Sequence, residues 1–355
     1  MQNNTLNYVR ILALGVSVIG YQFTASVYAQ TQEMTRVSVG SVGGLTDAGI
    51  ILADQLGFFR AQGIDVERKR IASGPALLSA IANNQLQVAG ISVTPGLYAA
   101  VDQGIYLRIV GDKHMAVASS KTTALVARKA SFPFIHDDAF PDMKGKTVAI
   151  ASKASVVSLQ LRDVLAERDQ DTGSIRVTEM NYPNMVVALS NGAIDAAVLI
   201  EPFLSEALRQ DKGLFVPSVA CGFMAARPCD AETKRAVSTV PLVYSESFAG
   251  NRQLAVRFMV AYMQGVRVYN DAIRKDKNKS GIFQILSDQT GTPMDVLVSG
   301  STPGLDPDQH VDVDYLIYAQ DFFLKQGFLT KPIDVKSMID KSFSEDAMLQ
   351  LGIYK

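Results

Sequence analysis

Short apolar strands alternate with helical stretches along this chain, and the alternation runs once, breaks, and runs again. Arg36–Val42 reads as a strand turned by Gly43-Gly44, and Asp47–Gln62 as a helix carrying Ile51, Leu52, Leu56 and Phe59 on one stripe, stopped by Gly63. Ile64–Ile71 is a second strand, Ser73-Gly74-Pro75 opens a second helix, and Leu86–Ile91 is a third strand. Thr94-Pro95 opens a helix that ends at Gly104, before a strand at Ile105–Val110. Such units imply a largely parallel sheet.

The second run begins after a strand leading away, Thr122–Arg128, and a polar connection, Phe132–Met143. Lys146–Ala151, Ile175–Asn181 and Ile194–Ile200 read as strands; Ser155–Arg168, Pro183–Asn191 and a stretch opened by Glu201-Pro202 and running to Gln210 read as helices. Thr239–Ser245 returns, followed by a long helix at Ala249–Ala272 and mostly helical sequence to the end. Ala80–Ala89 and Ala188–Ala197 echo one another as helix end, tight turn and strand. The expected fold is α/β with two lobes, each a mixed sheet flanked by helices. Lobe 1 spans 30–120 plus 245–355 and lobe 2 spans 121–244, with a hinged cleft between them.

The 355 residues, 48% hydrophobic and 19% charged, supply two ordinary cores and exclude a disordered chain. A net charge of −1 gives no general attraction to nucleic acid or anionic lipid. Three His and two Cys exclude a zinc scaffold or disulfide-dense mini-domain. Met1–Arg10 is polar, Ile11–Gly20 apolar, and Val27-Tyr28-Ala29 has the small-residue pattern of a cleavage site, so residues 1–29 read as a secretory signal peptide cut after Ala29. In an oxidising compartment, Cys221 and Cys229 are candidates for a disulfide closing a short loop; two unpaired thiols are the alternative.

In open α/β lobes a ligand sits outside the carboxyl ends of the strands, where helices begin and offer free N–H groups. That places Gly44, Thr46, Asp47, Ser73, Gly74, Ser92 and Thr94 on one wall and Ser152, Ser155, Asn181 and Glu201 on the other, with His114 at the edge. These hydroxyls and N–H groups suit a small organic anion or zwitterion. Each also has a plainer role: Ser73, Thr94 and Ser155 are good N-caps, Asp47 suits a helix N-terminus, and Glu201 a helix start. Asp47 and Glu201 together oppose a simple anion, a tension the sequence leaves open. There is no G-x-S-x-G elbow, P-loop or metal-ligand cluster, so neither a catalytic set nor a cofactor or metal is expected.

Several stretches carry a family likeness: Gly43–Ala53, Gly57–Val66, Ala80–Val88, Lys144-Gly-Lys-Thr-Val148, and Asn191-Gly-Ala-Ile-Asp-Ala-Ala197 with Glu201-Pro-Phe203. Over residues 36–270 the chain resembles periplasmic solute-binding proteins of ABC importers, with the type 2 periplasmic-binding fold. Within them it is similar to the sulfonate, nitrate and taurine group, whose domain is shared with thiamine-pyrimidine synthases. The resemblance implies a monomeric, periplasmic binding protein that is not an enzyme, with a small-molecule ligand and an ABC permease of the inner membrane as partners. It also makes Glu201 a cleft-facing residue. Two other readings stay open: a synthase-type enzyme, although the family's Cys-rich motif has no counterpart here, and a ligand-sensing module for a receptor.

Overall fold

The computed structural model describes residues 34–71, 74–116, 122–132, 140–211, 213–216, 237–299 and 302–355. The signal-peptide region, Ser73, Cys221 and Cys229 lie outside them. In chain order, β1 (Thr35–Ser41) leads into α1 (Ala48–Gln55) and α2 (Phe58–Ala61), then β2 (Ile64–Arg70), α3 (Gly74–Ala82), β3 (Val88–Gly90), α4 (Pro95–Asp102) and β4 (Leu107–Ala116). The chain then builds β5 (Thr123–Arg128), β6 (Thr147–Ile150), α5 (Val156–Ala166), β7 (Arg176–Glu179), α6 (Tyr182–Asn191), β8 (Ala196–Ile200), α7 (Phe203–Gln210) and β9 (Leu214–Phe215). β10 (Val237–Ser245) returns it to the first sheet. The helices α8 (Glu246–Gly250), α9 (Arg252–Lys275), α10 (Lys279–Thr290), α11 (Met294–Val298), α12 (Val313–Lys325) and α13 (Ser342–Leu351) complete the chain.

Two mixed sheets result, in the orders β2-β1-β3-β10-β4 and β7-β6-β8-β5-β9. In each, three strands run parallel, and the next, a strand beside one of the crossings, is antiparallel. Successive side chains of a strand point to opposite faces. Val39 and Val88 accordingly enter the core under α1 and α9, while Ala89 and Val243 enter a second core with α3, α4 and α12. Sheet 2 likewise separates a core with α5 from one with α6 and α7.

Three expectations change. The helix expected at Asp47–Gln62 is preceded by a 3₁₀ turn at Leu45–Asp47 and breaks at Gly57, whose φ of +78° an α-helix cannot carry. The strand expected to stop at Val110 continues to Ala116, because β10 pairs with it along its whole length and buries its polar residues. The long helix starts only at Arg252, where the Asn251 side chain accepts from the Leu254 N–H at 3.3 Å.

Candidate functional site

The carboxyl end of β1 is organised by a residue from the opposite end of sheet 1. Lys113 of β4 is 2% exposed, and its ammonium forms an ion pair with Asp47. The same Nζ donates to the Thr46 hydroxyl at 3.3 Å. Ser41 Oγ donates to the other oxygen of Asp47 and accepts from the Gly43 N–H at 2.7 Å. Lys113 reaches this position only because residue 90 is glycine: a Cβ there would stand 2.1 Å from Lys113 Cδ. Asp47 is therefore already neutralised, which removes half of the objection to an anionic ligand.

Glu201 is turned into its own helix, although hydrogen bonds from neutral groups leave its charge in place. It is buried, and its carboxylate accepts from the Ser205 N–H at 3.1 Å and the Ser205 hydroxyl at 2.8 Å, closing the first turn of α7. Asn181 also caps, its Oδ1 accepting from the Asn184 N–H at 2.9 Å. Beside them Tyr182 and Phe203, at the starts of α6 and α7, stack with ring centroids 5.6 Å apart. Burial raises the Tyr182 hydroxyl to about 12.

Thr94 and Ser155 precede α4 and α5, yet neither side chain caps its helix. Ser155 Oγ instead donates to the Ser152 carbonyl at 2.6 Å, and Ser152 Oγ accepts from the Ala154 N–H at 3.2 Å. Ser92, Thr94, Ser152 and Ser155 are all half-buried. Val93 and Leu97, flanking Thr94, belong to the same large buried cluster as Val156 and Leu159 of α5, and α12 packs against both helices. Gly44 and Gly74 face open space, with no heavy atom within 4 Å of a Cβ placed on either. On α5, Gln160 is 1% exposed and neither atom of its amide has a hydrogen-bond partner.

His114 is not at an edge. It is 3% exposed, and its Nδ1 pairs with the Thr239 hydroxyl at 2.9 Å across β4 and β10. Burial, with the Lys113 charge beside it, lowers its imidazole to about 3. Its neighbour Asp112 is wholly buried, accepting from Ser238 Oγ at 2.7 Å and the Asp306 N–H at 3.2 Å, and burial lifts its carboxyl to about 7. Lys113, Ser41 and Gln160 were missed by sequence reasoning. Lys113 sits in a polar run, Gly111-Asp-Lys-His114, that reads as the end of a strand; the pairing with β10 makes it interior.

Helix α5 also meets α12. Tyr318 donates to Asp163 at 2.9 Å, Arg162 donates to the Tyr318 oxygen at 3.0 Å, and the Arg162 guanidinium lies 4.7 Å from the centroid of the Phe322 ring. Among the described residues, no group of three or more His, Cys, Asp or Glu is placed to hold a metal ion, and no helix is long and apolar enough to cross a membrane.

The model of the NMT1-like family matches residues 30–287, nearly three quarters of the chain. This protein belongs to the NMT1-like family. Solved structures place this NMT1-like chain in the periplasmic binding protein fold. The ligand-binding component of an ABC-type import system from Staphylococcus aureus, solved with zinc bound, superposes with a TM-score of 0.68 at 14% identity, over 88% of this chain and 99% of that one. The periplasmic aliphatic sulphonate binding protein SsuA of Escherichia coli gives 0.64 at 18% identity, over 87% and 92%. The periplasmic nitrate-binding protein NrtA of Synechocystis gives 0.65 at 15% identity, over 90% of each chain. No curated protein matches this NMT1-like chain in sequence.

Proposed function

We propose that this protein is an extracytoplasmic solute-binding protein that holds a small organic anion or zwitterion between its lobes and delivers it to an ABC permease. The observation that carries the reading is that a helix start on each sheet keeps a hydroxyl that does not cap its helix. The half-buried hydroxyls of Thr94 and Ser155 are not spent on capping, and their flanking residues share one apolar cluster. Both acids at the strand ends are engaged by this chain's own groups, Asp47 by Lys113 and Ser41, Glu201 by Ser205. The wall left for a ligand is rich in hydroxyl and N–H donors, as sulfonate, carboxylate or nitrate oxygens require.

The names of the structural relatives, which bind sulphonate or nitrate in the periplasm, agree with this chemistry and compartment. An exported, monomeric protein cut after Ala29, with Cys221 and Cys229 bridged, completes the proposal. Isothermal titration of the mature chain with ethanesulfonate, taurine, nitrate and short carboxylates, paired with small-angle scattering, tests it. The expected result is one-to-one binding of at least one anion with a smaller radius of gyration on saturation. A ligand returned chemically altered, or binding with no change in shape, would sink the reading.

A further inference from the structure

The lobe 1 wall proposed for the ligand, Gly43–Asp47, depends on a lysine far away in sequence, and that dependence has a chemical direction. An ammonium donates and never accepts. Where Lys113 Nζ meets Thr46 Oγ1 at 3.3 Å, the threonine oxygen must accept, so its own proton is left for a different partner. The same ammonium ion-pairs with Asp47, and with Lys113 2% exposed no solvent replaces it there. Without Lys113 the wall would present a buried negative charge and a threonine hydroxyl of unfixed direction.

We infer that Lys113 is the positioning residue that makes the lobe 1 wall fit an oxyanion: it cancels Asp47 and fixes Thr46 as a donor, without gripping the ligand itself. The inference rests on the binding function proposed above and specifies the charge class of its ligand. It predicts that the damage done by losing Lys113 comes from the stranded Asp47, and is undone when Asp47 loses its charge as well.

The test is titration calorimetry with ethanesulfonate on wild type, Lys113→Met, the double variant Asp47→Asn with Lys113→Met, and Thr46→Val. Lys113→Met is expected to lose at least about ten-fold in affinity near pH 7.5 and to regain most of it near pH 5, as the stranded carboxylate takes up a proton. The double variant should bind within about three-fold of wild type at both pH values, and Thr46→Val should lose about five- to twenty-fold with no pH dependence. The other charged or titratable groups around Asp47 are Asp112 on β4, Tyr262 of α9, whose hydroxyl donates to the Asp112 carbonyl at 2.8 Å, and Arg70 at the end of β2, whose Nε lies 3.1 Å from a Cβ placed on Gly43. All are retained in every variant, so a difference between variants reports the pair.

Equal losses in the single and double variants, with no recovery in acid, would overturn the inference and make Lys113 a direct ligand contact. If wild type binds none of the anions named above, the proposed function fails and the oxyanion part of the inference with it, and thermal unfolding then decides only the coupling of Lys113 to Asp47. A melting gap between wild type and Lys113→Met that narrows from pH 8 to pH 5 upholds it; a constant gap overturns it.

Discussion

Sheet 1 continues its parallel trio β2-β1-β3 with antiparallel β10 and then β4; sheet 2 continues β7-β6-β8 with antiparallel β5 and then β9. The correspondence reaches single residues. Val39 and Gly40 pair with Val88 and Ala89 in one sheet, and Val148 and Ala149 with Ala196 and Ala197 in the other. The turn before each of these third strands needs a left-handed residue at the same place, met by Asn84 (φ +55°) in lobe 1 and Gly192 (φ +81°) in lobe 2. The lobes part company in how an acid near the cleft is handled. Asp47 takes a buried cation from another strand, whereas Glu201 is held by a hydroxyl and an N–H one helical turn away. The repeated topology thus supplies helix starts in matching places, and the charge at each start is set by residues the repeat does not share.

The largest test of that contrast is to strip each acid. Asp47→Asn leaves Lys113 buried without its counter-charge and should cost about 3–5 kcal/mol by chemical denaturation. Gly90→Val, which copies the Val198 found at the matching place in lobe 2, drives a side chain into Lys113 and should cost as much. Near-neutral stability in either variant would remove the ion pair from the account of lobe 1.

The next test is pH. Asp112, lifted to about 7, holds more protons folded than unfolded above the ordinary carboxylate value of 3.8, so its contribution to stability falls as pH rises toward 7. His114, lowered to about 3 from 6.5, holds fewer, so its contribution grows as pH rises through that window. The two oppose each other in the wild type. Asp112→Asn should unmask stability that rises from about pH 3 to 6.5, and His114→Gln stability that falls up to about pH 7, each on the order of 2–4 kcal/mol. Parallel profiles for the two variants would contradict the burial of both groups on the crossing strand.

In lobe 2 the expected effects are smaller. Ser205→Ala removes the hydroxyl that donates to Glu201, leaves the backbone N–H, and should cost about 1 kcal/mol, a cap-sized loss. Where α5 of lobe 2 meets α12 of lobe 1, Tyr318→Phe should cost about 1 kcal/mol or less because Tyr318 and Arg162 are only partly buried. A loss from Ser205→Ala as large as that of Asp47→Asn would erase the distinction between the lobes.

The strand–helix order, both crossings and the internal echo were legible because each rests on local periodicity and turn chemistry: the echo of Ala80–Ala89 in Ala188–Ala197 became two third strands in the same register. The helix starts were legible too, but not what their side chains do. A serine before a helix reads as a cap, and Ser155 bonds backward to Ser152 while Asn181 caps as its type suggests. Lys113 was illegible for a different reason. Its burial comes from β10, more than 120 residues later, and no local pattern announces a partner at that distance.

The position of β10 between β3 and β4 also bears on the order in which the molecule can be assembled. Every strand of sheet 2 lies within residues 123–215, so that sheet can close as soon as its own segment has been synthesised. Sheet 1 cannot: until residues 237–245 arrive, β4 has no neighbouring strand and β3 has a bare edge. The lobe made first is finished second, and its unfinished edge stays exposed while the whole of sheet 2 is made, a long-range closure that slows folding and leaves the front of the chain open for longer than its position suggests.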